Sequence, residues 1–188
     1  MSTKKKAVVI LGLVLGLICC FLIGQIFILP IRNSNIDTDE NKGYDLISHY
    51  DEASLEGEAT KEDNPWKTSV GKIETDEYGT VIFLTPETSI IFNCPDNIGS
   101  NLKFDYRIHP WVDKTQSDGT NLEVNISISD NNKVVLSKEF RVTPEEEMTS
   151  AALDLKEFSG KAIKIKFSCE DNSNQNSDWV ILNKIEIY

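Results

Sequence analysis

The sequence predicts an all-β protein: a two-sheet antiparallel β-sandwich of jelly-roll type, preceded by one N-terminal transmembrane helix. Three observations carry this. An apolar run from Ala7 to Ile31 follows Lys4-Lys5-Lys6. From about Trp66 onward, apolar and polar residues alternate with a period of two. Turn-forming residues punctuate that alternation, and no sustained helical period interrupts it.

The apolar run comes first. Gln25 is its only strongly polar side chain. About 20 apolar residues cross the hydrocarbon core as a helix, so residues 7–31 are long enough to span it. Lysines precede the run and acidic sequence follows it. That asymmetry places residues 1–6 in the cytoplasm and the remainder outside the cell membrane, as a single-pass protein with an extracellular C-terminal domain. A cleaved signal peptide has a shorter apolar core ending at a small-x-small site. This run ends instead in Ile26-Phe27-Ile28-Leu29-Pro30-Ile31. Ile18, before the pair Cys19-Cys20, also lacks the small side chain expected of lipoprotein processing. The lipid bilayer is therefore the expected partner of residues 7–31.

Residues 32–64 are polar and acidic and read as a solvated stalk. The patch Tyr44–Tyr50 interrupts it, either as a helical turn or docked on the domain. Asp37, Asp39 and Asn41 open like a calcium-binding EF-hand loop, but Lys42 and Ser48 stand where that loop requires Gly and Glu. The external domain is expected over residues 65–188. The chain carries 30 acidic and 19 basic residues, for a net charge of −11. Lys4, Lys5, Lys6 and Arg32 flank the anchor, so the external part is more negative still. Such a surface repels phosphate backbones, and no nucleic-acid partner is expected.

Four strong strands follow from the alternation. Leu102, Phe104, Tyr106 and Ile108 alternate with Lys103, Asp105, Arg107 and His109. Leu122, Val124, Ile126 and Ile128 alternate with Glu123, Asn125, Ser127 and Ser129. Ile163, Ile165 and Phe167 alternate with Lys164 and Lys166, and Trp179, Ile181, Ile185 and Ile187 share one parity of the last segment. Each reads as a strand with one buried and one wet face. Weaker segments are Trp66–Ile73, Thr80–Leu84, Ser89–Cys94 and Lys133–Val142, giving about eight strands. Glu145–Ala152 reads as a helical turn at most. The long connections Pro110–Thr120 and Thr143–Lys161 suit a jelly roll better than a meander. Cys94 and Cys169 end strands on the inward parity, which fits buried thiols and a disulfide alike.

Several segments resemble the jelly-roll modules of the galactose-binding-domain-like superfamily, the architecture of many carbohydrate-binding modules. They are Val81–Phe92, Leu102–Pro110, Ser117–Ile128, Asp154–Phe167 and Asn176–Val180. The most specific part is Leu155-x-x-Phe158-x-Gly160-Lys161 before a strand, followed by Asp178-Trp179. The resemblance covers about residues 66–188. It implies a surface binding module, with ligand residues in variable loops.

Catalytic motifs are missing from the sequence. It contains no nucleophile elbow, no His-Glu-x-x-His zinc site and no phosphate-binding glycine loop. The numerous acids read as solvated surface, and the protein is expected not to be an enzyme. No cofactor or metal is expected. Asp171–Asp178 is oxygen-rich but shows no coordination spacing, and reads as a polar loop. The most suggestive segment is His109–Gly119, which carries Trp111, Asp113 and Asp118. An exposed Trp stacks on the C–H face of a sugar, and carboxylates accept its hydroxyl hydrogens. The competing reading folds Trp111 back to close one end of the sandwich. Trp179 reads as core, and Trp66 fits either role. The expected function is a membrane-anchored cell-surface binding module with Trp111, Asp113 and Asp118 as ligand-binding residues and a glycan as ligand. The alternative is an assembly component of the cell envelope that binds protein instead.

Overall fold

The structure, a computed structural model, describes residues 43–57, 69–130, 132–170 and 177–188. They contain eleven strands: β1 (Tyr44–Asp45), β2 (Ser54–Glu56), β3 (Val70–Thr75), β4 (Gly79–Leu84), β5 (Thr88–Cys94), β6 (Asn101–Ile108), β7 (Thr120–Ile128), β8 (Val134–Val142), β9 (Thr149–Asp154), β10 (Ile163–Cys169) and β11 (Val180–Ile187). One antiparallel sheet runs β3-β4-β11-β6-β9, with β1 also on β11; the other runs β2-β5-β10-β7-β8. From β4 to β11 the chain winds between these sheets as a jelly roll, so each sheet interleaves early and late strands. The membrane helix expected over 7–31 lies outside the described residues. Among the described residues, no helix is long and apolar enough to cross a membrane.

The core forms where the inward parities meet. Phe104 packs edge-on against Phe167 at 5.2 Å and Phe140 at 5.4 Å, and Phe92 meets Phe167 at 6.3 Å between ring centroids. The inward sets of β5, β6 and β10 are buried as expected; in β7 Leu122, Val124 and Ile126 are buried, and Ile128 at the strand end is half-buried. The Leu155–Gly160 element is explained here. Leu155 and Phe158 are buried beneath a short 3-10 turn, Lys156–Phe158. Gly160 follows at φ +72, a conformation that side chains resist. Strand β8 forms an edge. Its Lys138 stands opposite Val124, on the inward side, yet stays exposed. A charge at that position discourages edge-to-edge pairing.

Four expectations need correction. Part of the presumed stalk belongs to the sandwich: β1 pairs with β11, β2 pairs with β5, and Leu46 is fully buried. The apolar patch Tyr44–Tyr50 docks because it covers core surface, including Ile185, whose carbonyl accepts the Leu46 N–H at 2.8 Å. Residues 149–154 form strand β9 rather than a helical turn, because β6 offers its edge from Leu102 to Tyr106. Pairing there overrides local preference. In β11 one parity does not hold throughout. Val180 and Leu182 face inward, a bulge follows at Lys184 (φ 46), and Ile185 and Ile187 then face inward. The bulge inserts a residue and exchanges the faces, so Ile181 lies on the outer face opposite Phe83 and Arg107.

The fourth correction concerns the outer face of β6. Asp105, Arg107 and His109 were expected to be wet, and all three are buried. Among the described residues, Cys94 and Cys169 are both free and buried. Cys94 pairs with Ile163, and Cys169 with Thr88, at opposite ends of the β5–β10 ladder. Six residues of strand put them about 20 Å apart, far beyond the reach of a disulfide.

Candidate functional site

The candidate site grows out of β6. Its outward residues run Lys103, Asp105, Arg107, and the strand then passes through His109 into the loop that carries Trp111. The loop is pinned at its start. The His109 N–H donates to the Trp179 carbonyl at 2.7 Å, and the Val112 N–H donates to the His109 carbonyl at 3.1 Å. Val112 is buried, and the side chain before it turns outward. Trp111 is 68% exposed. Its backbone N–H donates to His109 Nδ1 at 3.1 Å, and its ring lies 4.9 Å from the imidazole.

His109 is the platform under Trp111. Phe83 and Trp179 both meet it edge-on, at 6.4 and 6.1 Å. Burial pushes its pKa down to about 4, and the Arg107 guanidinium adds to the push. The imidazole is therefore neutral at pH 7, which leaves Nδ1 free to accept the Trp111 N–H.

Arg107 lies further down the same face and is only 4% exposed. Its Nε donates to the Ile108 carbonyl at 3.1 Å. Its Nη1 donates to the Tyr78 hydroxyl and, at 3.4 Å, to Glu147 Oε2. Tyr78 reaches over from the β3–β4 turn, and its own carbonyl accepts from Asn183 Nδ2 at 3.0 Å. Asp105 accepts from the Ser150 hydroxyl and pairs with Lys184 at 3.4 Å.

The three expected site residues share one loop but not one task. Trp111 presents its ring to solvent, so the reading that folds it inward fails. The Asp113 carboxylate is used locally: Oδ1 accepts from the Thr115 hydroxyl at 2.7 Å and its N–H at 3.0 Å, and Oδ2 from Gln116 Nε2 at 3.0 Å. These bonds, the Thr115 side chain foremost, hold its carboxyl below the usual range. Asp118 turns to the loop's far end. Its carbonyl accepts from Arg141, and its carboxylate faces Asp178. Gly119 makes this turn at φ +84, where a Cβ would meet the Val142 carbonyl at 2.4 Å. Asp178 is fully buried, and its Oδ1 accepts from the Ser117 hydroxyl at 2.6 Å. Burial pushes its carboxyl up, the Ser117 bond opposes this, and Asp118 adds to the push.

Sequence reasoning missed Arg107, His109, Tyr78 and Glu147. Alternation alone reads the first two as wet. A second candidate, a polar groove of about 390 Å³, lies over β5 and β10 and is lined by Glu56, Glu87, Ser89, Lys166 and Glu170 among others. Glu56 and Lys166 satisfy each other there at 2.7 Å, and among the described residues its lining holds no aromatic side chain. Residues 171–176 of the oxygen-rich segment lie outside the described residues. Among the described residues, no group of three or more His, Cys, Asp or Glu is placed to hold a metal ion.

No protein family matches the sequence, and no curated protein resembles it. Solved structures do resemble the fold. TmCBM61, solved in complex with beta-1,4-galactotriose, superposes with a TM-score of 0.51 at 13% identity, over 74% of this chain and 89% of that one. The ZmpB structure from Clostridium perfringens, which holds an M60 catalytic domain with CBM51-1 and CBM51-2 domains, gives 0.50 at 10% identity, over 78% of this chain and 15% of that one. At such identities the likeness concerns the fold, and the fold is a β-sandwich of the kind seen in carbohydrate-binding modules.

Proposed function

We propose that the chain is a non-catalytic glycan-binding module, carried outside the cell membrane on residues 7–31 as its anchor. One observation carries the binding reading: an exposed Trp111 ring on a loop whose neighbours are locked. A flat apolar face that need not be ordered on binding stacks on a sugar at low entropic cost. The sandwich fold supports the reading, because it tolerates loop variation without disturbing its core. The length of the apolar run and the lysines before it support the anchor.

Trp111→Ala in the full-length chain should abolish binding on a glycan array and leave the thermal melt nearly unchanged. A large drop in melting temperature would instead make Trp111 structural. The alternative, an envelope protein as partner, draws on β8, an edge strand with Val134 and Val135 exposed. A silent wild-type array together with cross-linking to one envelope protein would favour it. Protease added to intact cells should degrade the C-terminal domain. Release of a mature form beginning near residue 32 would remove the anchor from the proposal.

A further inference from the structure

The guanidinium of Arg107 is buried on the outer face of β6, and its partners among the described residues are unevenly held. A buried arginine normally offers its five N–H groups to acceptors fixed in place. Here Nε has the Ile108 carbonyl and Nη1 has Tyr78 and Glu147. No hydrogen bond from Nη2 is seen among the described residues. Glu147 is 87% exposed and touches Nη1 at 3.4 Å, from the irregular stretch between β8 and β9. An exposed carboxylate at that distance is held weakly. The other two neighbours are built in: the Ile108 carbonyl belongs to the strand, and the Tyr78 ring lies 5.5 Å from the guanidinium carbon.

The nearest acid on the strand does not answer this cation. Asp105, next along the outward face, is engaged by Ser150 and Lys184. Among the described residues, the one carboxylate that touches the guanidinium is therefore the loosely held Glu147; Glu77 Oε1 reaches it only through the Tyr78 hydroxyl, at 2.6 Å from that oxygen. Glu147 itself shows that a carboxylate reaches the guanidinium from the solvent side. The row also continues outward from Arg107 through His109 to Trp111, so the imidazole lies between the cation and the aromatic face.

We infer that Arg107 forms a carboxylate subsite, closed in the free protein by Glu147, which takes the acid group of a sugar acid while a neighbouring ring of the same glycan lies on Trp111. This rests on the glycan-binding reading and narrows it to chains that contain uronic or related acidic sugars. A ligand carboxylate displaces Glu147 and pairs with the guanidinium through two N–H groups, a geometry that a lysine does not reproduce. Arg107 sits within a strand, so the subsite is held in place before the ligand arrives.

The test is calorimetric titration of the full-length chain in detergent with three probes: tetragalacturonic acid, its methyl ester and galactotetraose. The ester keeps the rings and removes the charge. The acid should bind about tenfold more tightly than the ester. Glu147→Ala should strengthen the acid several-fold and leave the ester unchanged. That position is exposed, so the variant does not threaten the fold. Arg107→Gln should erase the preference, and Arg107→Lys should not restore it in full. Equal affinity for acid and ester overturns the inference, as does a Glu147→Ala variant with unchanged affinity for the acid. Binding of galactotetraose alone overturns the acidic subsite and leaves the glycan reading standing. Binding of none of the three overturns the subsite, and the Trp111→Ala array then decides the broader reading separately.

Discussion

Strands β6 and β7 carry the same alternation, and their outer faces are opposites. In β7, Leu122, Val124 and Ile126 are buried, while Glu123, Asn125 and Ser127 retain contact with water. In β6 the inward set is buried, and Asp105, Arg107 and His109 on the other side are buried too. The neighbours make the difference. The outer side of β7 meets polar groups that keep contact with water: Lys164 and Lys166 on β10, and on β8 the Ser137 hydroxyl, which donates to Glu123 at 2.9 Å. The outer side of β6 is bracketed by Tyr78, Phe83, Ser150, Trp179 and Lys184. A wet polar face confers solubility and tolerates change. A buried polar face holds most of its groups in fixed contacts, so it fixes geometry and is costly to disturb. The candidate site sits on the second kind.

The largest effect should come from crossing the two faces of β7. Ile126→Asp places an unpaired charge in the core and should cost at least ~3 kcal/mol. Asn125→Asp, one residue along, should stay within ~0.5 kcal/mol. Urea melts of the full-length variants measure both. Similar losses would mean that the register has slipped by one, which exchanges the faces.

Acid should separate the strands next. The folded pKa of His109 is depressed to about 4 from 6.5. As pH falls below 6.5 the unfolded chain takes the proton first, so this contribution is complete above 6.5 and is lost toward 4. Its full size is about 3 kcal/mol. The urea midpoint of the wild type should fall across that window more steeply than that of His109→Gln. Parallel slopes would show that His109 is accessible to protons when folded. No corresponding group exists on β7, whose outer residues include no histidine.

The same contrast separates what is legible in the sequence from what is not. Alternation locates the inward sets of β5, β6, β7 and β10, because a period of two has a single physical meaning once one side is apolar. The Leu155–Lys161 element is legible because a glycine at positive φ leaves a compositional trace. Trp111 stands out as a large aromatic in a long polar loop, although its exposure does not. Arg107 and His109 are hidden, since their burial depends on Tyr78, Phe83 and Trp179, which lie far along the chain. The bulge at Lys184 is hidden too: a non-glycine residue at positive φ leaves no mark, and it reverses the parity of everything after it. Asp113 misleads for a local reason. A carboxylate two residues before a threonine hydroxyl and N–H satisfies itself.

The smallest expected effect is a gain, and it turns on two buried aspartates of the same domain. Asp105 is answered by Ser150 and Lys184. Asp178 is not. Its Oδ1 accepts from Ser117 and the Gly119 N–H lies near, but among the described residues its buried Oδ2 has no hydrogen-bond partner, and the Asp118 carboxylate stands beside it. Two carboxylates facing each other repel at neutral pH. Asp178→Asn keeps an oxygen for Ser117, removes the buried charge and supplies an N–H that Asp118 can accept. It should therefore stabilise the full-length chain at pH 7, by about 1 kcal/mol. Because the Asp178 pKa is raised above its ordinary 3.8, the folded state holds that proton longer than the unfolded one. The stability associated with Asp178 thus falls as pH rises through 3.8, so the advantage of the asparagine should grow above that pH and fade below it. Asp105→Asn, which breaks a satisfied charge, should lose stability over the same range. Thermal melts at pH 3 and pH 7 read both. If Asp178→Asn lowers the melting temperature at pH 7, the pair is not repulsive, and the far end of the Trp111 loop is held by a different balance of charge.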